Sequence, residues 1–388
     1  MNLLTTNQIH AACCDSKYYN TSDAIINYQY LAHYLDFCNN VTVLMRCIDV
    51  SDIKPTWPRL DGAHIDICRL PDPSGPFSAI LALPVLIRDI IRAARRADVY
   101  YLKLPDATGA LVGLVLLCTG RAYAVEVVAD CKKGIMYAKS DLPLVRFYAW
   151  FFDLLTGFLV KRSKCATYVS KYLQNRYPHR DPAKQWLFCS VDLTGEFMGS
   201  ARDKEFFQAK PFRLIAAGRL CAEKGHTYLI QAFKGIRERA DISVELHLLG
   251  DGPLRMQLEQ QVKDLDLTDS VYFHGMVTRG KDLFSHLDKA HLYIMPSLTE
   301  GMGRSMIEAM ARGLPCTGSA VGGIPEYLDR EYLFNAQSAD AITEKVLDLI
   351  HDPEKLAAMS RDNINKSQAF TAQSLKAVKQ DFWNTVIS

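Results

Sequence analysis

Pro296-Ser297-Leu298-Thr299-Glu300-Gly301-Met302-Gly303-Arg304-Ser305-Met306-Ile307-Glu308-Ala309 follows the apolar run Leu292–Met295, which has the length and character of a buried strand. The glycine-bearing stretch reads as a loop, and 304–312 as a helix that Gly313 caps in left-handed conformation and Pro315 stops. Glu300 then falls in a strand-to-helix crevice, where open α/β sheets bind ligands. Gly301 and Gly303 let a ligand approach the backbone closely, and N–H groups near Arg304 and Ser305, backed by the helix dipole, suit an anion such as a diphosphate. Glu308 lies two turns into the helix, roughly 12 Å from Glu300 at about 1.5 Å per residue. That separation suits one carboxylate at each end of a long polar ligand, not two carboxylates sharing a proton or a metal.

Upstream segments repeat the theme in order. Phe212–Ala217 reads as a strand, followed by Gly218-Arg219-Leu220-Cys221-Ala222-Glu223-Lys224-Gly225-His226. Arg219 offers a planar fork and Lys224 a mobile point charge, and both suit phosphate. Residues 246–249 with Gly250-Asp251-Gly252-Pro253 read as strand, tight turn and a helix opening on proline. Val271-Tyr272-Phe273-His274-Gly275 is a short strand ending in a glycine turn, and Val321-Gly322-Gly323-Ile324-Pro325-Glu326 is a further glycine loop. Singly these are commonplace: a Gly-x-Gly-Pro is usually a turn, and a glutamate pair is usually a loop acid plus a solvated helix face. Together, in this order, they resemble the retaining, family 4-type (group 1) glycosyltransferases, whose Glu-x7-Glu motif Glu300 and Glu308 match. Lys103-Leu104-Pro105, Val125-Glu126-Val127-Val128 and the segment from Tyr168-Val169-Ser170 to Arg176-Tyr177-Pro178 look like such enzymes from bacterial surface-polysaccharide clusters.

The resemblance implies a GT-B fold, with two Rossmann-like doubly wound domains facing across a cleft. It implies transfer of a sugar from a nucleotide diphosphate to an acceptor hydroxyl, on a glycan or a lipid-linked molecule, with the anomeric configuration retained. Glu308 would hold the ribose, and Arg219, Lys224 and the N–H groups of Arg304 and Ser305 the diphosphate. Glu300 and the Gly301, Met302 and Gly303 backbone would position the donor sugar. No metal and no cofactor is expected, because basic side chains stabilise the leaving group. Two departures fall in the first half. The loop after the first strand is Asp15-Ser16-Lys17-Tyr18-Tyr19-Asn20-Thr21-Ser22-Asp23 rather than glycine-rich, and Tyr123-Ala124-Val125-Glu126-Val127-Val128-Ala129-Asp130 lacks the family's histidine. Glu126 is the candidate for that catalytic place, with Asp130 and Lys103 as cleft or acceptor candidates.

Composition fits this reading. At 388 residues, 49% hydrophobic and 23% charged, the chain supports two globular domains. A net charge of +2 gives no electrostatic case for nucleic acid. The amino terminus lacks the pattern of a secretory signal. Eleven cysteines without a Cys-x-x-Cys pair point to a reducing cytoplasm, with Cys118, Cys165, Cys189 and Cys316 as buried thiols and Cys13-Cys14 as a packed strand end. Alternating strands and helices predict parallel sheets. First-half strands are expected at 8–14, 41–47, 64–69, 99–102 and 122–128, and helices at 24–38, 79–97, 107–118 and 143–159. A polar linker is expected at 195–210. That divides the chain into an acceptor domain (1–195), a donor domain (196–366) and a terminal helix (367–388) crossing back to the first.

Charge is uneven: residues 131–190 hold eleven Lys and Arg against three acids. Arg88, Arg92 and Arg96 recur along one helix, and 147–160 is very apolar but, with Asp153 inside, too short to span a bilayer. These features suit contact with an anionic membrane at the inner face of the cell membrane, with Lys161, Arg162 and Lys164 in a basic rim. A buried helix beside a solvated basic face is the competing reading. For function, a GT-B epimerase or phosphorylase and a non-catalytic nucleotide-sugar-binding protein are the alternatives. A nicotinamide oxidoreductase is disfavoured, as no Gly-x-Gly-x-x-Gly follows an early strand.

Overall fold

A computed structural model describes the chain except residues 22–25, 55–56, 73–75, 140–141 and 189–192. The first half contains β1 (Asn2–Cys14), β2 (Lys17–Asn20), α1 (Tyr28–Ala32), β3 (Asn40–Asp49), β4 (Ile65–Leu70), α2 (Pro76–Ala94) and β5 (Val99–Leu104). It continues through α3 (Ala107–Cys118), β6 (Ala124–Val127), α4 (Cys131–Lys139), α5 (Pro143–Arg162), β7 (Cys165–Tyr168), α6 (Lys171–Arg176) and β8 (Gln185–Leu187). The strands lie in the order β4-β3-β1-β5-β6-β7-β8, all parallel, with β2 antiparallel against β1. Every residue of β5, β6 and β7 is buried, as expected where helices cover both faces of a parallel sheet.

The second half opens with α7 (Lys204–Phe207), β9 (Phe212–Ala217), α8 (His226–Arg239), β10 (Val244–Leu249), α9 (Arg255–Asp264), β11 (Val271–Gly275) and α10 (Lys281–Lys289). Then come β12 (Leu292–Met295), α11 (Arg304–Ala311), β13 (Cys316–Ser319), β14 (Leu333–Phe334), α12 (Ala339–Ile350), α13 (Pro353–Ser367) and α14 (Ala372–Ile387). The sheet is wholly parallel in the order β11-β10-β9-β12-β13-β14. This is the doubly wound arrangement whose direction reverses between the first and fourth strands, here β9 and β12, and that reversal opens a crevice at the strands' C-terminal ends. Alternation along β9 fills the two faces: Phe212, Leu214 and Ala216 enter one apolar cluster and Ile215 the other.

Several boundaries differ from expectation. β1 begins at Asn2, because Thr5, Thr6 and Asn7 interrupt its apolar pattern yet are buried. The helix expected at 24–38 is α1 followed by a short 3-10 turn, His33–Asp36, and its first residues lie outside the described ones. Stretch 195–210 is anchored, not a bare linker: Phe197 and Phe207 are buried, and the Arg202 guanidinium donates to the Leu287 carbonyl at 2.8 Å and to the Ala290 carbonyl. The terminal helix starts at Ala372, with Thr371 capping it from Ser374 N–H. Its Phe382, Trp383 and Val386 enter the core of the first half, and Trp186 Nε1 donates to Asp381 at 2.8 Å. Cys118 is exposed, not buried, because it ends α3; Cys165 and Cys316 are buried, and Cys189 lies outside the described residues.

Candidate functional site

The loops after β9 and β12 meet at the switch point. The Lys224 ammonium donates to Glu300 Oε1, and Ser297 Oγ donates to the same oxygen at 2.9 Å. Burial alone would lower the Lys224 pKa, but Glu300 beside it holds it above the ordinary lysine value. The approach of the two loops depends on Gly225, since a Cβ there would lie 2.1 Å from the Pro296 carbonyl oxygen. His226, next in the chain, is buried with Nδ1 unpartnered, and burial followed by the Lys224 charge pulls it down to about 4, so it is neutral.

Gly303 starts α11 in left-handed conformation at φ 86°, and no side chain caps the helix. Its first turn therefore presents backbone N–H groups and the positive end of the dipole to the crevice. Ser305 Oγ donates to the Ala217 carbonyl at 3.0 Å and pairs with Tyr293 OH at 2.8 Å, tying that turn to the end of β9. The Met302 side chain is buried beside Ile307, Leu193 and Phe197, so only its backbone is available to a ligand. Arg219 is exposed in the loop after β9. Glu308 is buried and accepts from Arg279 Nε at 2.8 Å; that guanidinium also lies 4.3 Å over the Phe197 ring. The crevice thus holds the Lys224–Glu300 pair beside a helix N-terminus, with Arg219 on the same loop as Lys224 and Glu308 two turns along α11.

Of the expected donor residues the structure joins Lys224 to Glu300, while Glu308 pairs with Arg279 instead; Arg279, Ser297 and Tyr293 were not singled out from the sequence. Ser297 was open to inference, since a serine three residues before a loop acid is a common turn-forming pair; Arg279 carries no local signal. An Asp-x-Asp triplet does occur, Asp264-Leu265-Asp266, but both acids are exposed at the end of α9. β11 starts just beyond them, so the triplet lies at the N-terminal end of the sheet's edge strand, whereas the crevice lies at the C-terminal ends of the central strands.

Residues 198–366 match the model of the family described as "Glycosyl transferases group 1". The chain carries a group 1 glycosyltransferase domain. Protein CapJ of Staphylococcus aureus is 23% identical over 345 residues, 83% of either chain. The amylovoran biosynthesis glycosyltransferase AmsK of Erwinia amylovora is 32% identical over 126 residues, 31% of this chain and 30% of its own. Among solved structures, sucrose-phosphate synthase of Thermosynechococcus elongatus superimposes with a TM-score of 0.69 at 16% identity, over 99% of this chain and 98% of that one. HepE of Anabaena, in complex with UDP-glucose, gives 0.68 at 16% identity over 100% and 99%. These likenesses identify the fold as GT-B.

Outside the group 1 domain, the three first-half candidates do not form one cluster. Lys103 Nζ donates to Tyr30 OH at 2.8 Å and lies 3.8 Å from Glu126 Oε2. Both residues are buried, and Glu126 helps wall a cavity of about 580 Å³ with Tyr34, Tyr101 and Trp383. Burial would lower the Lys103 pKa, but Tyr30, Tyr34 and Glu126 hold it above the ordinary value. Asp130 lines a different cavity, of about 250 Å³, with Pro105, Asp106 and Tyr148. Its Oδ1 accepts from Lys133 N–H at 3.1 Å in the first turn of α4, and Oδ2 accepts from Tyr172 OH.

The two halves of the chain touch directly. The Glu326 carboxylate accepts the Lys171 and Tyr172 N–H groups at 2.9 and 2.7 Å. A Cβ on Gly301 would lie 2.0 Å from the Val128 carbonyl oxygen. No group of three or more His, Cys, Asp or Glu that could hold a metal occurs among the described residues.

Proposed function

We propose that the chain moves a sugar from a nucleoside diphosphate donor to a hydroxyl of a glycan or lipid-linked acceptor, with retention and without a metal. The carrying observation is the meeting of Lys224 and Glu300 at the β9–β12 crevice beside the uncapped first turn of α11, with Arg219 on the same loop as Lys224 and Glu308 two turns along the helix. Charge explains the division of roles. The diphosphate leaves bearing growing negative charge, and two side-chain cations with a helix N-terminus stabilise it in the transition state. Glu308, two turns down the helix, would exchange its bond with Arg279 for the ribose hydroxyls. Glu300, held by Lys224 and Ser297, would orient the donor sugar, and the departing phosphate would take the acceptor proton in a front-face attack.

In this reading residues 196–366 bind the donor, 1–195 bind the acceptor, and 367–388 fasten the two. The enzyme would act on the cytoplasmic side of the cell membrane, as a peripheral protein, in assembly of surface polysaccharide. UDP-glucose, present in the HepE complex, heads the list of donors to try. A thermal-shift panel of nucleotide sugars with a chelator present tests donor and metal together, since a donor bound by the folded state raises Tm by mass action. Proton NMR of the product then reads the anomeric configuration. An inverted linkage, or stabilisation that vanishes with chelator, would overturn the corresponding part.

A further inference from the structure

α5 has 20 residues, while β6 and β7, which it helps connect, have four each. At helical rise that is about 30 Å of helix against about 13 Å of strand. The helix ends two residues before β7, so its second half lies on the sheet and its first half overshoots the edge where the strands end. Burial divides the helix by face and weakens toward its start: Ala149, Thr156, Leu159 and Val160 are buried, whereas Leu144 is 77%, Phe147 61%, Trp150 49% and Phe151 49% exposed, and Leu154 and Phe158 continue the bare face. The helix's one acid, Asp153, turns inward onto Arg176 at 2.8 Å and Tyr177 at 2.6 Å, leaving the outward face free of negative charge. The first half of α2 is bare in the same way, with Ile80 69% and Leu81 67% exposed.

Cations flank the overhang. Arg146 is exposed near its start, Lys132 and Lys133 in the first turn of α4 beside the middle of the helix, and Lys161 and Arg162 at its end. The rim expected from sequence is therefore corrected in part. Lys164 donates to the Val386 carbonyl on α14 at 3.2 Å, and Arg88 is occupied by Asp89 at 2.9 Å. The helix is long and apolar enough to cross a bilayer, which the 147–160 reading underestimated. Its inward face, however, is committed to the core of the first half, so it can lie along a membrane but not through one. An apolar, aromatic face of this extent flanked by Lys and Arg matches a surface offering both acyl chains and negative headgroups.

We propose that the first half of α5, with the start of α2, docks in the plane of an anionic lipid leaflet. The face lies at the strand ends where Val128 meets Gly301, so docking sets the interdomain cleft beside the membrane. The inference deepens the peripheral placement proposed above. It shares no residue with the donor crevice, so failure here and failure there are separately visible.

The test is co-sedimentation of the full chain with phosphatidylcholine vesicles, with and without phosphatidylglycerol, at low and high salt. The wild type is expected to pellet only with the anionic vesicles and to be released by salt. Lys132→Glu, Lys133→Glu and Arg146→Glu together should weaken binding roughly tenfold or more. Leu144→Glu, Phe147→Glu and Phe151→Glu together should abolish it, with nucleotide stabilisation unchanged. If that variant fails to fold, the charge variant and quenching of Trp150 by brominated lipid, lost in Trp150→Phe, still decide. Wild type left in the supernatant with anionic vesicles at low salt overturns the proposal. So does a self-associated chain that the apolar changes dissociate without any vesicle binding.

Discussion

Glu300 and Glu308 are both already engaged by cations, Lys224 and Arg279, which places the carboxylates but also sets what a ligand must displace. Their losses should therefore differ. Glu308→Ala is expected to raise the donor KM, and Glu300→Ala to depress kcat more than KM. Each should lower kcat/KM at least about tenfold, about 1.4 kcal/mol, read by steady-state kinetics. His226 carries a stability prediction. Its folded pKa of about 4 lies below the ordinary 6.5, so between those values the unfolded chain takes up a proton that the folded chain refuses. Stability must then fall as pH drops from 6.5 toward 4, by about 2 kcal/mol from this residue at pH 5. Urea denaturation at pH 7 and 5 checks it: the wild type should lose more than His226→Phe by about that amount, and equal losses would remove the effect.

At the scale of elements, α11 depends on one backbone conformation. Gly303 has φ 86° and a Cβ there would lie 3.0 Å from Met295 Sδ, so Gly303→Ala should cost about 1–2 kcal/mol. It should also weaken diphosphate binding by tilting the first turn; thermal unfolding and calorimetry read the two effects. The β12–α11 unit was legible in the sequence because each signal agrees locally: apolar run, glycine loop, helix, Gly313 and Pro315. β7 was not, since Cys165-Ala166-Thr167-Tyr168 is short and directly follows a helix whose own apolar run masks its start. α12 and α13 went unread although Ser338 and Asp352 cap them. The first-half candidates were unreadable for a different reason. Strand alternation sends Glu126 into one face of the sheet, while Asp130 lies in the turn beyond it and opens on another cavity, a distinction spacing alone does not draw.

On the scale of the whole molecule, the two halves are held by Glu326 on the first turn of α6, by Gly301 against Val128, and by α14 on the first core. Glu326→Ala removes two charge-assisted bonds between the halves, about 2 kcal/mol in sum. Small-angle scattering should show a larger radius of gyration and kinetics a lower kcat, with nucleotide affinity nearly unchanged; an unaltered radius would mean that Glu326 does not govern closure. In the proposed function the β9–β12 crevice is a diphosphate site whose far carboxylate holds the nucleoside. Calorimetry with matched nucleoside mono- and diphosphates in the presence of chelator tests it most directly. The diphosphate is expected to bind more tightly, and Arg219→Ala and Lys224→Ala to erase that advantage, with Arg219→Lys recovering it only partly. Glu308→Ala should weaken both nucleotides equally. Equal affinity for mono- and diphosphate in the wild type, or a diphosphate advantage that survives in both basic variants, would contradict it.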